Sequence, residues 1–243
     1  MIQPPLRIGT AGWNVPSSYA AEIPAGGSHL ERYARRLNAA EINSSFHRPH
    51  QRKTYERWAR STPADFRFSV KIPKAMTHER GLIDCGALLD RFAAEVTGLG
   101  DKLAVLLVQL PPKFVRDQQV ADRFLHDLRA RLDVPVALEP RNASWFTPDA
   151  DRWLAERRIA RVAADPARPD GAGEPGGWRG LAYSRQHGAP RIYFSSYDAA
   201  ALASLKRRLD AQRARGIPTW CIFDNTASGA ALGNALTLAP RGE

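Results

Sequence analysis

Short apolar runs that close on polar residues, each followed by a stretch of helical periodicity, recur along the whole chain. The runs predict about eight strands: "LRIGTAG" near Ile8, "NAAEIN" near Glu41, "FRFSVKI" near Val70, "LAVLLVQL" near Leu107, "VPVALEP" near Leu138, "IARVAAD" near Ala163, "LAYSRQHG" near Arg185 and "TWCIFDN" near Phe223. Between them the pattern predicts helices over His29 to Leu37, Arg52 to Arg60, Gly86 to Gly98, Gln118 to Arg131, Pro148 to Arg157 and Ala199 to Arg215, with a last one over Gly229 to Leu238. Phe124, Leu125, Leu128 and Leu132 recur at three- and four-residue spacing, as one buried helix face requires. Thr147 before Pro148 reads as an N-cap followed by proline in the first turn.

Strands alternating with helices imply a parallel sheet with right-handed crossovers, and about eight such units favour closure into a TIM-barrel-like (β/α)8 fold. The stretch "PARPDGAGEPGGWRG" after the sixth strand is too rich in Pro and Gly for a full helix and predicts an irregular excursion. "VPSSYAAEIPAGGS" predicts a long loop before the first helix. No composition shift marks a second unit, so residues 1–243 read as a single domain.

In such a barrel the reactive groups sit at the C-terminal ends of the strands. Those ends carry Trp13; Glu41 and Asn43; Lys71; Gln109; Glu139 and Arg141; Asp165; Arg185 and His187; and Asp224 with Asn225. Two-residue spacing puts Glu41 with Asn43, Glu139 with Arg141 and Arg185 with His187 on shared faces, so each pair can point into one mouth. Four acids (Glu41, Glu139, Asp165, Asp224) there meet at least three cations (Lys71, Arg141, Arg185), a grouping too costly for a dry interior unless paired. His78 in "THER" is expected in the loop after strand three, and Gly188 beside His187 is expected to let a ligand approach the backbone.

Composition narrows the classes. Hydrophobic residues at 44% and charged ones at 25% are ordinary for a globular chain of 243 residues, long enough to bury a core without staples. Cys85 and Cys221 stand in no ligand spacing and read as reduced, buried thiols. No signal pattern or membrane-length apolar run occurs, which predicts a cytoplasmic protein with no membrane partner. The net charge of +10 favours anionic partners, although the arginines of "KRRLDAQRARG" read first as a solvated helix face. No Walker loop, dinucleotide fingerprint, GxSxG or HExxH is present.

The stretches "IGTAGW", "AEINSSFHR", "FSVKIPKAMTHER", "QLPPKF", "LEPRNASWF", "SRQHG" and "FDNTASGAALGNAL", in this order from Ile8 to Leu238, resemble the YecE-like family, domain of unknown function 72. The resemblance implies a TIM-barrel-like fold and supplies no activity. Glu41, Arg48, Lys71, His78, Gln109, Glu139, Arg141, Trp145, Asp165, Arg185, His187, Asp224 and Asn225 match the family's pattern, whereas His47, Pro140, Asn142 and Gln186 depart from it.

The first functional expectation is an enzyme, a hydrolase or isomerase, acting on an anionic small molecule that is phosphorylated or sugar-like. Its catalytic candidates are Glu41, Glu139, Asp165, His187 and Lys71, with crowded carboxylates as acid and base. Its substrate-binding candidates are Trp13, Asn43, Arg48, His78, Gln109, Arg141, Trp145, Arg185, Asp224 and Asn225, with arginines for the anion and tryptophans for a sugar ring. No cofactor is identified. A divalent metal enters only in the alternative, a metal-assisted phosphodiesterase on nucleic acid with Glu41, Glu139, Asp165, His187 and Asp224 as ligands. A third reading is a protein that captures a ligand without turning it over. Lys71 is also a Schiff-base candidate, although its neighbouring carboxylates are expected to raise its pKa.

Overall fold

The structure is a computed structural model that describes residues 3–239. Its elements follow the expected alternation. The first half comprises β1 (Leu6–Thr10), α1 (His29–Ala34), β2 (Ala39–Ile42), α2 (Arg52–Arg60), β3 (Arg67–Lys71), α3 (Gly86–Val96), β4 (Leu103–Gln109) and α4 (Gln118–Arg129). The second half comprises β5 (Val136–Glu139), α5 (Pro148–Glu156), β6 (Ile159–Arg161), β7 (Ala163–Asp165), β8 (Gly176–Gly177), β9 (Ala182–Gln186), α6 (Ala199–Ala214), β10 (Thr219–Phe223) and α7 (Ala230–Leu238).

The expected sixth strand is β6 and β7 in succession, broken at Val162. Through β6 it pairs with β5, and through β7 with β9, so one chain segment joins the sheet β2-β3-β4-β5-β6 to the sheet β1-β10-β9-β7. Val162 itself stays in the ladder by donating its N–H to the Leu138 carbonyl at 2.9 Å. The second junction lies between β1 and β2. It is closed by a parallel bridge from Ala11 to Glu41 and by the Asn38 side chain, which accepts from Ile8 N at 3.0 Å and donates to the Leu6 carbonyl at 2.8 Å. The strands meet so closely here that a Cβ on Gly9 would collide with the Ala39 carbonyl, which is why a glycine sits mid-strand. The sheets therefore close into a barrel whose major strands all run parallel.

Two apolar layers hold it. Ala39, Val105, Leu107, Ala137, Ala160, Val162, Tyr183, Trp220 and Ile222 fill the barrel interior. The opposite strand faces, including Ile8, Ile42, Phe68, Val70, Leu106, Val108 and Leu138, pack on the apolar stripes of the helices. In α4 that stripe is Ala121, Phe124, Leu125 and Leu128, as the spacing predicts. Helix starts follow their caps: Ser28 and Glu31 form a reciprocal capping box for α1, and Thr147 Oγ1 accepts from Ala150 N at 3.1 Å ahead of α5. On α6 the three leucines Leu202, Leu205 and Leu209 turn inward, and Lys206, Arg207 and Arg208 face solvent as expected.

Among the described residues no helix lies between β7 and β9. The Pro/Gly-rich excursion returns through β8, which pairs antiparallel with β6, and leaves a cavity of about 200 Å³ outside the barrel against α6. His78, expected in a loop, lies instead on one turn of π-helix over Ala75–Glu79 directly after β3. Among the described residues no helix is long and apolar enough to cross a membrane.

Candidate functional site

Strand parity determines what reaches the mouth. On β9 the inward positions are Tyr183, Arg185 and then His187; on β2 they are Ala39, Glu41 and Asn43; on β5, Ala137, Glu139 and Arg141. Backbone bonds extend the ladders past the strand ends and fix these residues. His187 N donates to the Asp165 carbonyl at 2.7 Å, Asp224 N to the Gln186 carbonyl at 2.8 Å, and Leu110 N to the Glu139 carbonyl at 3.0 Å.

Arg185 is the centre of the assembly and is 1% exposed. Its Nε and Nη2 grip Glu41 at 3.0 and 2.7 Å, its Nη1 donates to Glu139 at 2.7 Å, and Nη2 also reaches Asp224 at 3.0 Å. Tyr183 OH donates to Glu41 Oε2 at 2.9 Å; its single proton is thereby used, so Ser69 Oγ, at 2.7 Å, must be the donor to the phenol oxygen. His187 lies between Asp224 Oδ2 at Nδ1 (3.0 Å) and Glu139 Oε1 at Nε2 (2.9 Å), and Arg141 Nη2 lies 2.9 Å from the same Nε2. One ring nitrogen cannot donate to a carboxylate and accept from a guanidinium at once. The neutral Nδ1–H ring suits Arg141 and the doubly protonated ring suits Glu139, so both protonation states of His187 have a partner in place.

Such a cluster sets its own proton affinities. Burial by itself raises Glu139, but Arg185, Arg141 and His187 together hold its carboxyl well below the ordinary range. Asp224 is lowered in the same way: burial opposes the shift, and Arg185 and His187 outweigh it. Burial would strip the proton from Arg185, and the three carboxylates instead hold it more firmly than in water. Arg185 is thus turned wholly to protein carboxylates. It cannot serve as the anion clamp that its position at a strand end suggested.

Above this network lies a cavity of about 570 Å³ at the C-terminal mouth. Asn43, Lys71, His78, Gln109 and Asp224 line it, joined by Phe46, His47, Lys74, Tyr193 and Phe194. Lys71, 7% exposed, has no hydrogen-bond or ion-pair partner among the described residues, and its Nζ lies 4.0 Å over the Phe46 ring. Burial, then the Arg185 guanidinium, lowers its ammonium against the pull of Glu41, Glu139 and Asp224, leaving it at about 8. The carboxylates therefore lose a contest they were expected to win, because burial penalises the ammonium most and the Arg185 guanidinium offsets their field. Burial also lowers the His78 imidazole, with Lys71 and Lys74 adding to the shift, and Thr77 Oγ1 holds its Nδ1 at 2.8 Å. The Oδ1 atom of Asn43 is buried without a partner.

The other candidates lie elsewhere. Asp165 pairs in register with Gln186 on the outer barrel face, and its Oδ1 accepts from Tyr197 OH at 2.7 Å. With Ala160 and Val162 inward, period two turns Asp165 out. Trp145 is fully buried between Phe114 and Trp153 and donates its Nε1–H to the Phe114 carbonyl at 3.2 Å. Trp13 packs edge-on to Trp58 and Phe68 outside the barrel. Arg48 is exposed beside a separate cavity of about 250 Å³. Asn225 bonds Ser195 O at 2.9 Å and Asn234 Oδ1 at 2.8 Å, tying the loop after β9 to α7. The space beside Gly188, expected to admit a ligand, is filled by the chain itself: a Cβ there would lie 2.8 Å from Ser195 O. Asn142 caps the turn Ala143–Trp145 and donates to the Pro112 carbonyl at 2.8 Å.

With Asp165 outside and Glu41 chelating Arg185, the five expected metal ligands do not converge. Among the described residues no group of three or more His, Cys, Asp and Glu side chains is arranged to hold a metal ion. Sequence reading passed over Tyr183 and the aromatic members of the mouth. Tyr183 stood two residues before Arg185, a parity signal already in use; Tyr193 and Phe194 come from a loop with no periodicity to read.

The model of a family described as "Protein of unknown function DUF72" matches residues 7–243. The chain is 34% identical over 151 residues to the UPF0759 protein YunF of Bacillus subtilis, covering 59% of this chain and 53% of that one. It is 29% identical over 176 residues to the UPF0759 protein YecE of Escherichia coli K12, covering 70% and 62%. These matches span a little over half the length of the curated relatives. Among solved structures, a DUF72 family protein of Enterococcus faecalis superimposes with a TM-score of 0.80 at 21% identity over 96% of this chain and 94% of that one. Another from Thermotoga maritima gives 0.76 at 23% identity over 96% and 97%. At these identities the likeness establishes the barrel fold.

Proposed function

The chain belongs to the DUF72 family, whose description leaves activity open, and we propose that it is an enzyme acting on an anionic small molecule, phosphorylated or sugar-like, in the C-terminal mouth of its barrel. The observation that carries this reading is the 570 Å³ cavity whose walls hold an unpaired Lys71, His78 and Asp224 above a fully paired ionic floor. Its volume suits a small metabolite. Lys71 and Lys74 supply positive potential for the anion, His78 supplies a ring nitrogen, and the amides of Asn43 and Gln109 supply hydrogen bonds to hydroxyls. Asp224 Oδ2 is spent on Arg185 and His187, and its other oxygen is available to a ligand's proton. The floor of Glu41, Arg185 and Glu139 acts as a preorganised electrostatic base that holds Asp224 and His187 in place.

A thermal-shift and calorimetric panel of three- to six-carbon sugar phosphates, set beside their unphosphorylated parents, tests the reading. Phosphorylated members are expected to raise Tm, with an effect that weakens as salt rises and disappears in Asp224→Asn or in Lys74→Ala/His78→Ala. Consumption of the binding member is followed by phosphorus NMR. A panel in which only neutral sugars bind, or in which binding survives both variants, would sink it.

A further inference from the structure

We infer that Lys71 is a covalent nucleophile that forms an imine with an aldehyde or ketone carried by the substrate. The inference rests on the proposed anionic-ligand reading and deepens it by naming the carbonyl class.

Three features of the geometry support it. Among the described residues the amine is unpaired although carboxylates surround it, because Arg185 takes both oxygens of Glu41 and one each of Glu139 and Asp224. It stands on the last residue of β3, on the rigid scaffold and not on a loop, with its stem held in the barrel and its Nζ over Phe46. It opens onto the cavity that Asp224 and His78 also line. A lysine placed only for charge would be expected to pair with one of these carboxylates. The lowered proton affinity of this amine agrees with the same role, because about a tenth of it is neutral at pH 7, far more than of an ordinary lysine.

The step balances. The neutral Nζ attacks the carbonyl carbon, a C–N bond forms, and the carbonyl π pair moves to oxygen. A proton passes from nitrogen to that oxygen with Asp224 as relay, giving a carbinolamine. The nitrogen lone pair then expels the hydroxyl, which leaves as water with a proton taken from solvent in the open mouth. The product is a protonated imine whose positive charge occupies the place of the former ammonium, facing Asp224, Glu139 and Glu41. Hydrolysis reverses each step and restores the free enzyme.

The full-length protein is incubated with glyceraldehyde 3-phosphate and sodium borohydride, and the reduced adduct is located by peptide mapping. Reduction is expected to fix one equivalent on Lys71, at least tenfold faster than on the exposed Lys53 and Lys206, which serve as controls within the same chain. Lys71→Arg, which keeps the charge, is expected to lose that adduct and leave the slow surface labelling unchanged. Binding of glycerol 3-phosphate, which has no carbonyl, is measured in parallel by calorimetry. Adducts spread over surface lysines with Lys71 unmodified overturn the imine. If glycerol 3-phosphate still binds in that case, the anionic-ligand reading survives alone; if it does not, both fall. Selective trapping at Lys71 without glycerol 3-phosphate binding supports the imine and removes the anion from the proposed substrate.

Discussion

Replacing Arg185 with methionine takes one guanidinium away from three buried carboxylates. Four of the five N–H groups of Arg185 are in use, on Glu41, Glu139 and Asp224, at 2.7 to 3.0 Å and with the side chain 1% exposed. Breaking a buried pair by deleting one partner costs about 3–5 kcal/mol. Glu139 keeps Arg141 and His187, Asp224 keeps His187 and Glu41 keeps Tyr183, so that range is the expected loss. For a chain of this length each kcal/mol moves Tm by about 2–4 °C, so a fall of roughly 6–20 °C follows. The pH dependence carries a second, independent sign. In the parent, Glu139 and Asp224 have lowered folded-state pKa values. Their stabilisation is therefore present above the unfolded carboxylate range, near pH 4, and is lost as pH falls through the lower folded values. Without Arg185 burial still raises both groups and the largest influence that lowers them is gone, so their folded values move up, with Arg141 and His187 still acting on Glu139 and His187 on Asp224. The folded variant then binds more protons than the folded parent, and it loses less stability than the parent as pH falls through the carboxylate range. Urea denaturation followed by far-ultraviolet circular dichroism at three pH values reads both effects. A variant within about 1 kcal/mol of the parent at pH 7, or one whose pH slope matches the parent's, would refute the claim that this guanidinium neutralises the floor of the mouth.

Two further substitutions separate chemistry from architecture. Lys71 pays for its position, since its folded pKa of about 8 lies below the unfolded value; the parent should therefore gain stability as pH rises between about 8 and 10. Lys71→Met should abolish that rise and be at least as stable as the parent at pH 7 by urea midpoint. A clearly destabilised variant would mean that the carboxylates need the ammonium. Trp145→Phe removes part of a fully buried ring and its bond to the Phe114 carbonyl, a loss of roughly 1–3 kcal/mol. Affinity for the phosphorylated ligands of the thermal-shift panel should be unchanged; a tenfold weakening would place the indole in the binding site after all.

Much of this arrangement was legible in the sequence, for local reasons. The eight apolar runs, the helix start at Thr147, and the missing helix after the sixth run all follow from periodicity, capping and Pro/Gly content. Period-two spacing also put Glu41 with Asn43, Glu139 with Arg141 and Arg185 with His187 on inward faces. The same rule carried on from Ala160 and Val162 turns Asp165 outward, but which parity of that strand faces inward is fixed only by its pairing with β5 and β9. Trp145 and Trp13 were assigned to the mouth because they follow strand ends. The turns after those strands instead swing both rings into the layer between sheet and helices, where aromatic area is best buried.

The sequence alone determined which residues could share the mouth, because alternation along a strand is a property of the backbone and needs no partner. What it could not determine is how those charges divide among themselves. That depends on distances between residues up to 144 positions apart, and only closure of the barrel brings them together. Closure commits Arg185 to Glu41, Glu139 and Asp224, and so converts the expected anion clamp into a sealed ionic floor. The same pairing leaves Lys71 without a partner among the described residues, and burial with the Arg185 charge lowers its pKa, although by composition alone it was surrounded by carboxylates. Electrostatic roles are set by the order in which buried charges neutralise one another, and that order exists only in three dimensions.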